Sequence, residues 1–519
     1  MNNQPENFTP TQKTWRQSIQ AWTHPRVITM LFFGFSAGVP ILLIFSSLSL
    51  WLREAGVSRS AVTFFSWAAL GYSFKFIWAP LVDTLPLPLL TKALGRRRSW
   101  LLVAQIAVIT AICLMALTDP AANEHNLVAM ALAAVMLGFS SATQDIVIDA
   151  YRIECAEEEL QALLASTYIA GYRIGMLVAG AGALYLASWF GTSTGHYNYT
   201  AWKYSYFGMA AVMLIGVATT LIIEEPVIIV EARESSSKHY LRFLLLFLCS
   251  AGAFAALFFL SKTTVADVKI LLSSGLPEHK GLISFAVESG RMLLALAGGL
   301  AVAYVLVLCK IADRDMVQNT YINPVADFFK RYGTETALLL LALIGLYRIS
   351  DIVLGVISNV FYQDLGFSKP VIASIIKTFG LFMTLAGGFL GGVLTLRYGV
   401  TRILFLGAVL SSLTNLLFMV LASAGNDVTL LTLVIAADNL SAGIATTAFV
   451  AFLSSLTNIS FTAVQYAIFS SLMTLLPKLI GGYSGTMVST WGYEQFFLVS
   501  TLMGVPVLVL IWLADKRLH

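Results

Sequence analysis

Two aspartates four residues apart are the strongest chemical feature of this sequence. Asp145 and Asp149 lie in SSATQDIVIDAYRIE (140–154), a stretch that is otherwise mostly apolar. On a helix this spacing places both carboxylates on one face, with Gln144 beside that face. Two carboxylates in a surrounding of low dielectric constant cannot both be ionised cheaply, so one of them is expected to carry a proton. The simpler alternative is that Asp149 only pairs with Arg152 or with the basic stretch 96–98.

Other ionisable residues also interrupt long apolar runs, namely Lys75, Arg173, Arg348, Asp351, Lys377, Asp438 and Lys478. Such groups are costly in an apolar medium and usually face a bundle interior or a wet cavity. Arg173 could neutralise one of the aspartates or bind a ligand. Lys75 and Lys377 could attract an anion or sit in buried ion pairs. Arg348 and Asp351 are three residues apart and most simply pair with each other, whereas Asp438 and Asn439 are candidate polar groups of a cavity.

The amino-acid composition is too apolar for a water-soluble protein. Of its 519 residues, 58% are hydrophobic and 12% are charged, and its mean hydropathy is +0.79. Soluble proteins are roughly 45–50% apolar and about 25% charged. The net charge of +4 is small and gives no reason to expect nucleic acid as a partner. The four cysteines are scattered without metal-ligand spacing, and no motif of a phosphate-binding loop or of a hydrolase occurs. We therefore expect a membrane protein that is not an enzyme, needs no cofactor or metal, and is driven by an ion gradient.

Fourteen apolar runs are long enough to cross a bilayer as helices. They cover approximately 27–52, 62–84, 99–118, 127–151, 163–188, 202–223, 241–261, 284–309, 335–360, 370–396, 402–422, 428–455, 461–486 and 493–514. The polar residues 1–26 do not resemble a cleavable signal peptide and are expected to form an N-terminal tail in the cytoplasm.

An internal repeat divides the chain into two similar halves. WLREAGVSRSAV (51–62) aligns without gaps with FYQDLGFSKPVI (361–372), so that Gly56 matches Gly366. Both copies link the first and second spans of a six-span half. Two parallel halves in the same orientation are the pattern of the major facilitator fold. Lys75 and Lys377 occupy corresponding spans of the two halves.

The distance between the repeats leaves room for an insertion. We expect a six-helix bundle at 27–223, a linker with two additional transmembrane helices at 224–334, and a second six-helix bundle at 335–519. The fold class is thus all-α, with fourteen transmembrane helices. A single re-entrant or amphipathic region within 224–334 is the alternative to two true spans there.

The basic residues predict the orientation. If both termini lie in the cytoplasm, the cytoplasmic segments contain most of the lysine and arginine, including Arg96, Arg97, Arg98, Lys330, Arg331, Arg397, Arg402, Lys516 and Arg517. Asp83 and GRRRSW (95–100) resemble the major facilitator loop between the second and third spans, in which an aspartate and arginines join the cytoplasmic helix ends. We therefore expect Asp83, Arg96, Arg97 and Arg98 to act in gating. The second-half stretch LRYGVTR (396–402) lacks the aspartate.

Several stretches resemble the AmpG-type muropeptide permeases of Gram-negative bacteria. They are GFSAGVP (34–40), FKFIWAPLVD (74–83), GRRRSW (95–100), SATQDIVIDAYR (141–152), GYRIGMLVAGAGALYLA (171–187), DNLSAGIATTAFVAFL (438–453) and TAVQYAIFSSL (462–472). They fall in both six-helix halves, and QDIVIDA is the most specific of them. The family also has an extra helix pair between its halves.

The resemblance implies a proton-coupled transporter of the bacterial inner membrane. It would import N-acetylglucosaminyl-1,6-anhydro-N-acetylmuramic acid, with or without its stem peptide, for cell-wall recycling upstream of β-lactamase induction. Asp145 and Asp149 would couple the proton, and the protein is expected to be a monomer. The substrate is large, amphiphilic and anionic, and the residues that suit it are Lys75, Trp78, Gln144, Tyr168, Tyr172, Arg173, Lys377, Asp438, Asn439 and Gln465.

Two other functions remain open at this point. The same superfamily branch includes acetyl-CoA transporters, so the cargo could be a different amphiphilic anion. The protein could also be a membrane receptor that binds muropeptide without carrying it, although no segment outside the predicted spans is large enough for a signalling domain.

Overall fold

The computed structural model describes residues 20–57, 72, 74–192, 196–226, 237–275, 280–368, 371–481 and 484–518. The chain divides into two compact units. One contains residues 1–228 together with 328–519, and the other contains residues 229–327.

The described part of the chain contains thirteen helices that are long and apolar enough to cross a membrane. Each coincides with one of the predicted spans, and the span predicted at 62–84 lies largely outside the described residues. The prediction of an all-α polytopic membrane protein is therefore confirmed. The N-terminal tail also lies mostly outside the described part, and the first long helix begins at Pro25, inside the stretch assigned to that tail.

The helices of the larger unit are numbered here in chain order, together with those of the smaller unit. They are α1 (Pro25–Glu54), α2 (Ala79–Thr84), α3 (Arg96–Ala116), α4 (Glu124–Glu154), α5 (Glu158–Trp189), α6 (Tyr199–Ile222), α7 (Ser237–Leu260), α8 (Lys262–Gly275), α9 (Lys280–Leu308), α10 (Asn323–Leu346), α11 (Ile349–Asp364), α12 (Ser374–Tyr398), α13 (Val400–Ala424), α14 (Val428–Ser455), α15 (Thr462–Gly481) and α16 (Tyr493–Leu518).

The internal repeat is visible in the backbone. Gly56 and Gly366, at the ends of α1 and α11, both have a φ of 79°. Val57 N–H donates to Leu52 O at 2.9 Å, and the matching Phe367 N–H donates to Tyr362 O at 3.2 Å. Glycine takes this left-handed conformation without strain, and the bonds satisfy the last carbonyls of each helix. The matched glycines of the repeat therefore end two equivalent helices in the same way.

Glycines allow α1 and α5 to pack with their backbones in contact. A Cβ atom on Gly171 would lie 2.0 Å from Leu31 O, and one on Gly34 would lie 2.0 Å from Tyr168 O. Gly38 and Gly175 form the same kind of contact one turn further along. Small residues permit such close approach between helices in a bilayer, where packing rather than the hydrophobic effect drives association. This contact fixes α5, which carries Tyr168, Tyr172 and Arg173.

Replacing Gly171 with Val is expected to prevent correct assembly of the first half. The added side chain cannot avoid the α1 backbone, and overpacking of this kind costs about 1–3 kcal/mol or more. Thermal unfolding in detergent should show a clearly lower Tm or no folded protein. Gly355→Ala is the matched control, because a Cβ there has open space around it. Equal Tm values for the two variants would contradict the proposed close contact.

The smaller unit contains the inserted helices. Both apolar runs predicted there form helices long and apolar enough to cross a bilayer, over Lys238–Leu260 and Gly290–Leu308. Arg291 donates from Nε to Phe258 O at 2.9 Å and stacks on the Phe258 ring at 4.0 Å. A basic side chain on a carbonyl of the last turn of α7 stabilises that helix end. The intervening helix α8 was not predicted.

Candidate functional site

Asp149 lies in a buried ion pair. Lys75 Nζ donates to its Oδ2 at 3.3 Å, and the exposed fractions of the two side chains are 9% and 12%. Arg152 Nη2 lies 3.7 Å from the other carboxylate oxygen, on the same helix α4. Two cations therefore surround one carboxylate. Of the roles left open for Lys75 and Asp149, the structure shows the buried ion pair, and Arg152 is the second partner.

Asp145 has a different environment one turn earlier on α4. Tyr168 of α5 donates from its hydroxyl to Asp145 Oδ1 at 3.2 Å. Among the described residues, no lysine or arginine lies within ion-pair distance of Asp145. Its side chain is half-buried, and the ring of Tyr172 lies 6.1 Å from that of Tyr168. We call the group formed by Lys75, Asp145, Asp149, Tyr168 and Tyr172 the aspartate cluster.

Trp78 borders the aspartate cluster. Its Nε1 donates to Thr143 Oγ1 at 3.1 Å, and its ring packs on Phe139 of α4 with centroids 4.6 Å apart. Tyr72 donates to Ser141 on the same helix. These contacts join the segment before α2 to α4, so that Lys75 is held beside Asp149.

Gln144 does not share the environment of its neighbour Asp145. Its side chain is fully buried, and Nε2 donates to Ser36 Oγ of α1 at 3.2 Å. A second buried amide, Gln105 of α3, accepts from Thr220 of α6 at 2.9 Å. Adjacent residues of a helix point about 100° apart, so Gln144 faces the interior of the first half. In this structure it is a packing group and not part of the aspartate cluster.

The polar candidates of the second half are arranged around α14. Asp438 accepts from Thr414 Oγ1 of α13 at 3.4 Å, and Asn439 accepts from Thr384 of α12 at 2.9 Å. Both residues are half-buried, and Lys377 of α12 is exposed. Gln465 is instead buried at the start of α15, where its Oε1 accepts from Arg331 Nη2 at 3.0 Å and from Asn458 N–H at 2.8 Å. Gln465 therefore stabilises a helix start.

The residues expected to act in gating meet at one end of the larger unit. Arg97, with 1% of its side chain exposed, donates to Asp83 Oδ1 at 2.7 Å and to both oxygens of Glu154. Arg96 donates to Asp83 O at 3.0 Å. We call the ion-pair group Asp83–Arg97–Glu154 the arginine triad, and the end of the unit that contains it the basic end.

Arg98 has a separate function at the basic end. Its side chain donates to Thr220 O at 3.0 Å and to Leu221 O at 2.8 Å, which are carbonyls in the last turn of α6. Glu225, just after that helix, accepts from the backbone N–H groups of Arg97 at 2.7 Å and Arg98 at 3.0 Å. The positive charge of Arg98 thus stabilises the C-terminal end of α6, and the negative charge of Glu225 stabilises the N-terminal end of α3.

Four contacts join the two halves at the basic end. Asp83 Oδ2 accepts from Val464 N–H at 3.2 Å, in the first turn of α15. Arg152 Nη1 donates to Ser454 Oγ of α14 at 2.8 Å, and its guanidinium lies 5.1 Å from the centre of the Tyr466 ring. Trp22 stacks on Phe389 of α12 with centroids 4.6 Å apart. The halves are therefore closed against each other at this end.

Sequence reasoning missed Glu154, Ser454 and the bridging position of Arg152. Glu154 lies at the end of α4, 57 residues after Arg97, and only the packing of α4 against α3 brings the two side chains together. Ser454 gave no signal, because only the packing of the two halves brings it to Arg152. No group of three or more possible metal ligands occurs in the part of the chain that the structure describes.

A helical unit of two joined halves, with ionisable groups inside its spans, is the architecture of a secondary transporter. The chain matches the Major Facilitator Superfamily over residues 27–350 and belongs to that family.

Named relatives are similar over nearly the whole chain. A protein of Rickettsia conorii called "Putative transporter AmpG 4" is 28% identical over 494 residues, which cover 95% of this chain and 97% of that protein. The "Anhydromuropeptide permease" of Escherichia coli K12 is 27% identical over 505 residues, which cover 97% of this chain and 82% of that protein. The resemblance to AmpG-type permeases is therefore confirmed.

Solved structures show the same fold. The transporter FucP in its outward conformation is 11% identical, with a TM-score of 0.58, over 95% of this chain and 99% of that chain. The proton:xylose symporter XylE is 14% identical, with a TM-score of 0.54, over 96% of each chain.

Proposed function

We propose that this protein imports anhydromuropeptides across the bacterial inner membrane by alternating access, driven by protons. The similarity to the anhydromuropeptide permease of Escherichia coli supports the cargo. The observation that supports coupling to protons is the environment of Asp145. The Asp145 carboxylate is half-buried within a membrane-spanning helix and accepts a hydrogen bond from the Tyr168 hydroxyl. The nearby Asp149 carboxylate is already neutralised by Lys75 and Arg152.

The two aspartates thereby receive different roles. Asp145 can gain and lose a proton without breaking an ion pair, because no cation is bound to it among the described residues. Asp149 is held between two cations and would release both of them if it were protonated. Asp145 is therefore the proton carrier, and Asp149 links the aspartate cluster to Arg152.

The closed basic end defines the state of the transport cycle. The concentration of lysine and arginine there supports a cytoplasmic position for the basic end by the positive-inside rule. A transporter closed towards the cytoplasm is in the state that accepts substrate from the periplasm. Opening towards the cytoplasm must separate Arg152 from Ser454, and Asp83 from the first turn of α15.

Uptake by the purified protein tests this function. Proteoliposomes are given radiolabelled anhydromuropeptide with an inwardly directed proton gradient, without a gradient, and with the gradient collapsed by a protonophore. We expect accumulation only in the first condition. Protein-free liposomes and the Asp145→Asn variant are the controls.

The same experiment separates the alternatives. Saturable binding without accumulation would identify a receptor. If protein with a normal Tm neither binds nor accumulates muropeptide, the proposed cargo is refuted. Uptake of acetyl-CoA would then be measured in the same vesicles.

A further inference from the structure

An arginine of the first half points towards the second half without a carboxylate partner. Arg173 follows Ser166 on α5 by seven residues, so the two side chains leave the helix on the same face. Ser166 contacts the second half, since a Cβ on Gly388 of α12 would lie 3.3 Å from its Oγ. Arg173 thus faces the second half about 10 Å further from the basic end, at 1.5 Å per residue.

The charge of Arg173 is not balanced. Its side chain is exposed, and none of the described carboxylates lies within ion-pair distance of it. A guanidinium is always charged in proteins, so it cannot lower the cost of its position by losing a proton. Charged groups within a membrane span normally have a partner, and an unpaired one indicates a ligand.

A second arginine reaches the same region from the second half. Arg348 lies at the interruption between helices α10 and α11, with a non-helical φ of −100° and ψ of 14°. Its Nη2 is 3.6 Å from Asp351 Oδ2, longer than a hydrogen bond, and its side chain is 25% exposed. Its buried Nε has no hydrogen-bond partner among the described residues. Asp351 therefore orients Arg348 without using all of its donors.

Hydrogen bonds of the second half bring Arg348 to the level of Arg173. Asn415 of α13 donates to Ser350 Oγ, two residues after Arg348, at 2.6 Å, and the neighbouring Thr414 donates to Asp438. Asn439 accepts from Thr384 of α12, which lies about 6 Å from Gly388 on the side away from the basic end, as Arg173 does from Ser166.

Asp351, which lies 3.6 Å from Arg348, and Asp438, which accepts from Thr414, both belong to the second half. Two like charges that approach each other in a medium of low dielectric constant repel, and an anion placed between them changes this repulsion into attraction.

We propose that Arg173 and Arg348, one from each half, together bind a carboxylate of the transported substrate. This inference rests on the proposed function and adds to it the group of the cargo that is recognised. Because each half supplies one arginine, a bound carboxylate would draw the halves together on the side away from the basic end, as closure over a substrate requires.

Chemical modification of the cargo tests the arginine pair. Uptake of the anhydromuropeptide with free carboxylates is compared with uptake of its methyl ester in wild type, Arg173→Gln and Arg348→Gln. We expect the wild type to prefer the free acid. Each variant should raise the KM for the free acid about tenfold or more, the range expected for a lost charged hydrogen bond, with little change for the ester. Arg402→Gln, at an exposed position at the start of α13, is the matched control and should leave both KM values unchanged.

Two results would overturn the proposal. The first is a wild-type KM for the free acid in both variants. The second is an equal loss for acid and ester at a normal Tm, which would mean that the arginines serve gating or packing. If the wild type carries no muropeptide at all, the proposed function fails separately. Stabilisation by the dicarboxylate glutarate in wild type, but not in either variant, would then still support the site, and equal Tm shifts in all three would contradict it.

Discussion

Uptake driven by a proton gradient is expected to fall to the level of protein-free liposomes when Asp145 is replaced with Asn. The asparagine side chain has the same shape and still accepts the hydrogen bond from Tyr168, which lies 3.2 Å from Asp145 Oδ1. It cannot bind and release a proton. The variant should therefore be inserted, fold with a near-normal Tm and bind muropeptide, but it should not accumulate it against a gradient.

Asp149→Asn is the comparison that separates coupling from charge balance. This substitution removes the carboxylate that lies between Lys75 and Arg152 and leaves two buried cations without it. Breaking a buried pair from one side costs about 3–5 kcal/mol, so its first effect should be a lower Tm and less folded protein. Tyr168→Phe should weaken coupling without abolishing it, because the Asp145 carboxylate remains.

Gradient-dependent accumulation at the wild-type rate in Asp145→Asn would falsify the assignment of Asp145 as the proton carrier. The same result in Asp149→Asn, with normal stability, would contradict the structural role given to Asp149. For each variant, Tm and uptake are measured on the same protein preparation.

The fold was largely predictable because its signals are local. Runs of about 20 apolar residues predicted the spans, since a helix of that length crosses the bilayer and forms all of its backbone hydrogen bonds within itself. The match between Gly56 and Gly366 predicted two equivalent halves, and both glycines do end a helix with the same backbone conformation. Helix α8 was missed because it is short and only partly apolar, and a window sized for a span cannot detect it.

The site was predictable only in part, because side-chain direction depends on tertiary contacts. Spacing alone placed Asp145 and Asp149 on one face of α4. The same helical geometry shows why Gln144 turns away from them, since consecutive residues of a helix do not face each other. Gln465 was assigned to a cavity, yet it stabilises a helix start with Arg331. Polarity within a span does not distinguish these two uses.

The bridging role of Arg152 could not be obtained from sequence. Its position three residues after Asp149 predicted an interaction between the two, which is seen at 3.7 Å. Its bonds to Ser454 and Tyr466 arise only because the halves are closed at the basic end. Contacts between residues 302 positions apart depend on the state of the transport cycle as well as on the fold.

The largest loss of stability is expected when Arg97 is replaced with Gln. Arg97 is 1% exposed and is shared by Asp83 and Glu154, whose side chains are 9% and 0% exposed. Removing Arg97 leaves two buried carboxylates close together. Breaking a buried ion pair lowers the free energy of unfolding by about 3–5 kcal/mol. Thermal unfolding in detergent should show a much lower Tm than for the wild type.

Arg98→Gln is the matched control for this substitution. The neighbouring arginine makes hydrogen bonds to the carbonyls of Thr220 and Leu221, and its loss should cost only about 1–3 kcal/mol. Adding Glu154→Gln to Arg97→Gln should restore part of the Tm, because the repulsion between the two carboxylates that shared Arg97 is then removed. A Tm for Arg97→Gln equal to that of Arg98→Gln, or no recovery in the double variant, would mean that the arginine triad does not hold the basic end closed. Recovery of Tm with faster opening at this end would instead show that the triad stabilises the closed state more than the fold, as a gate requires.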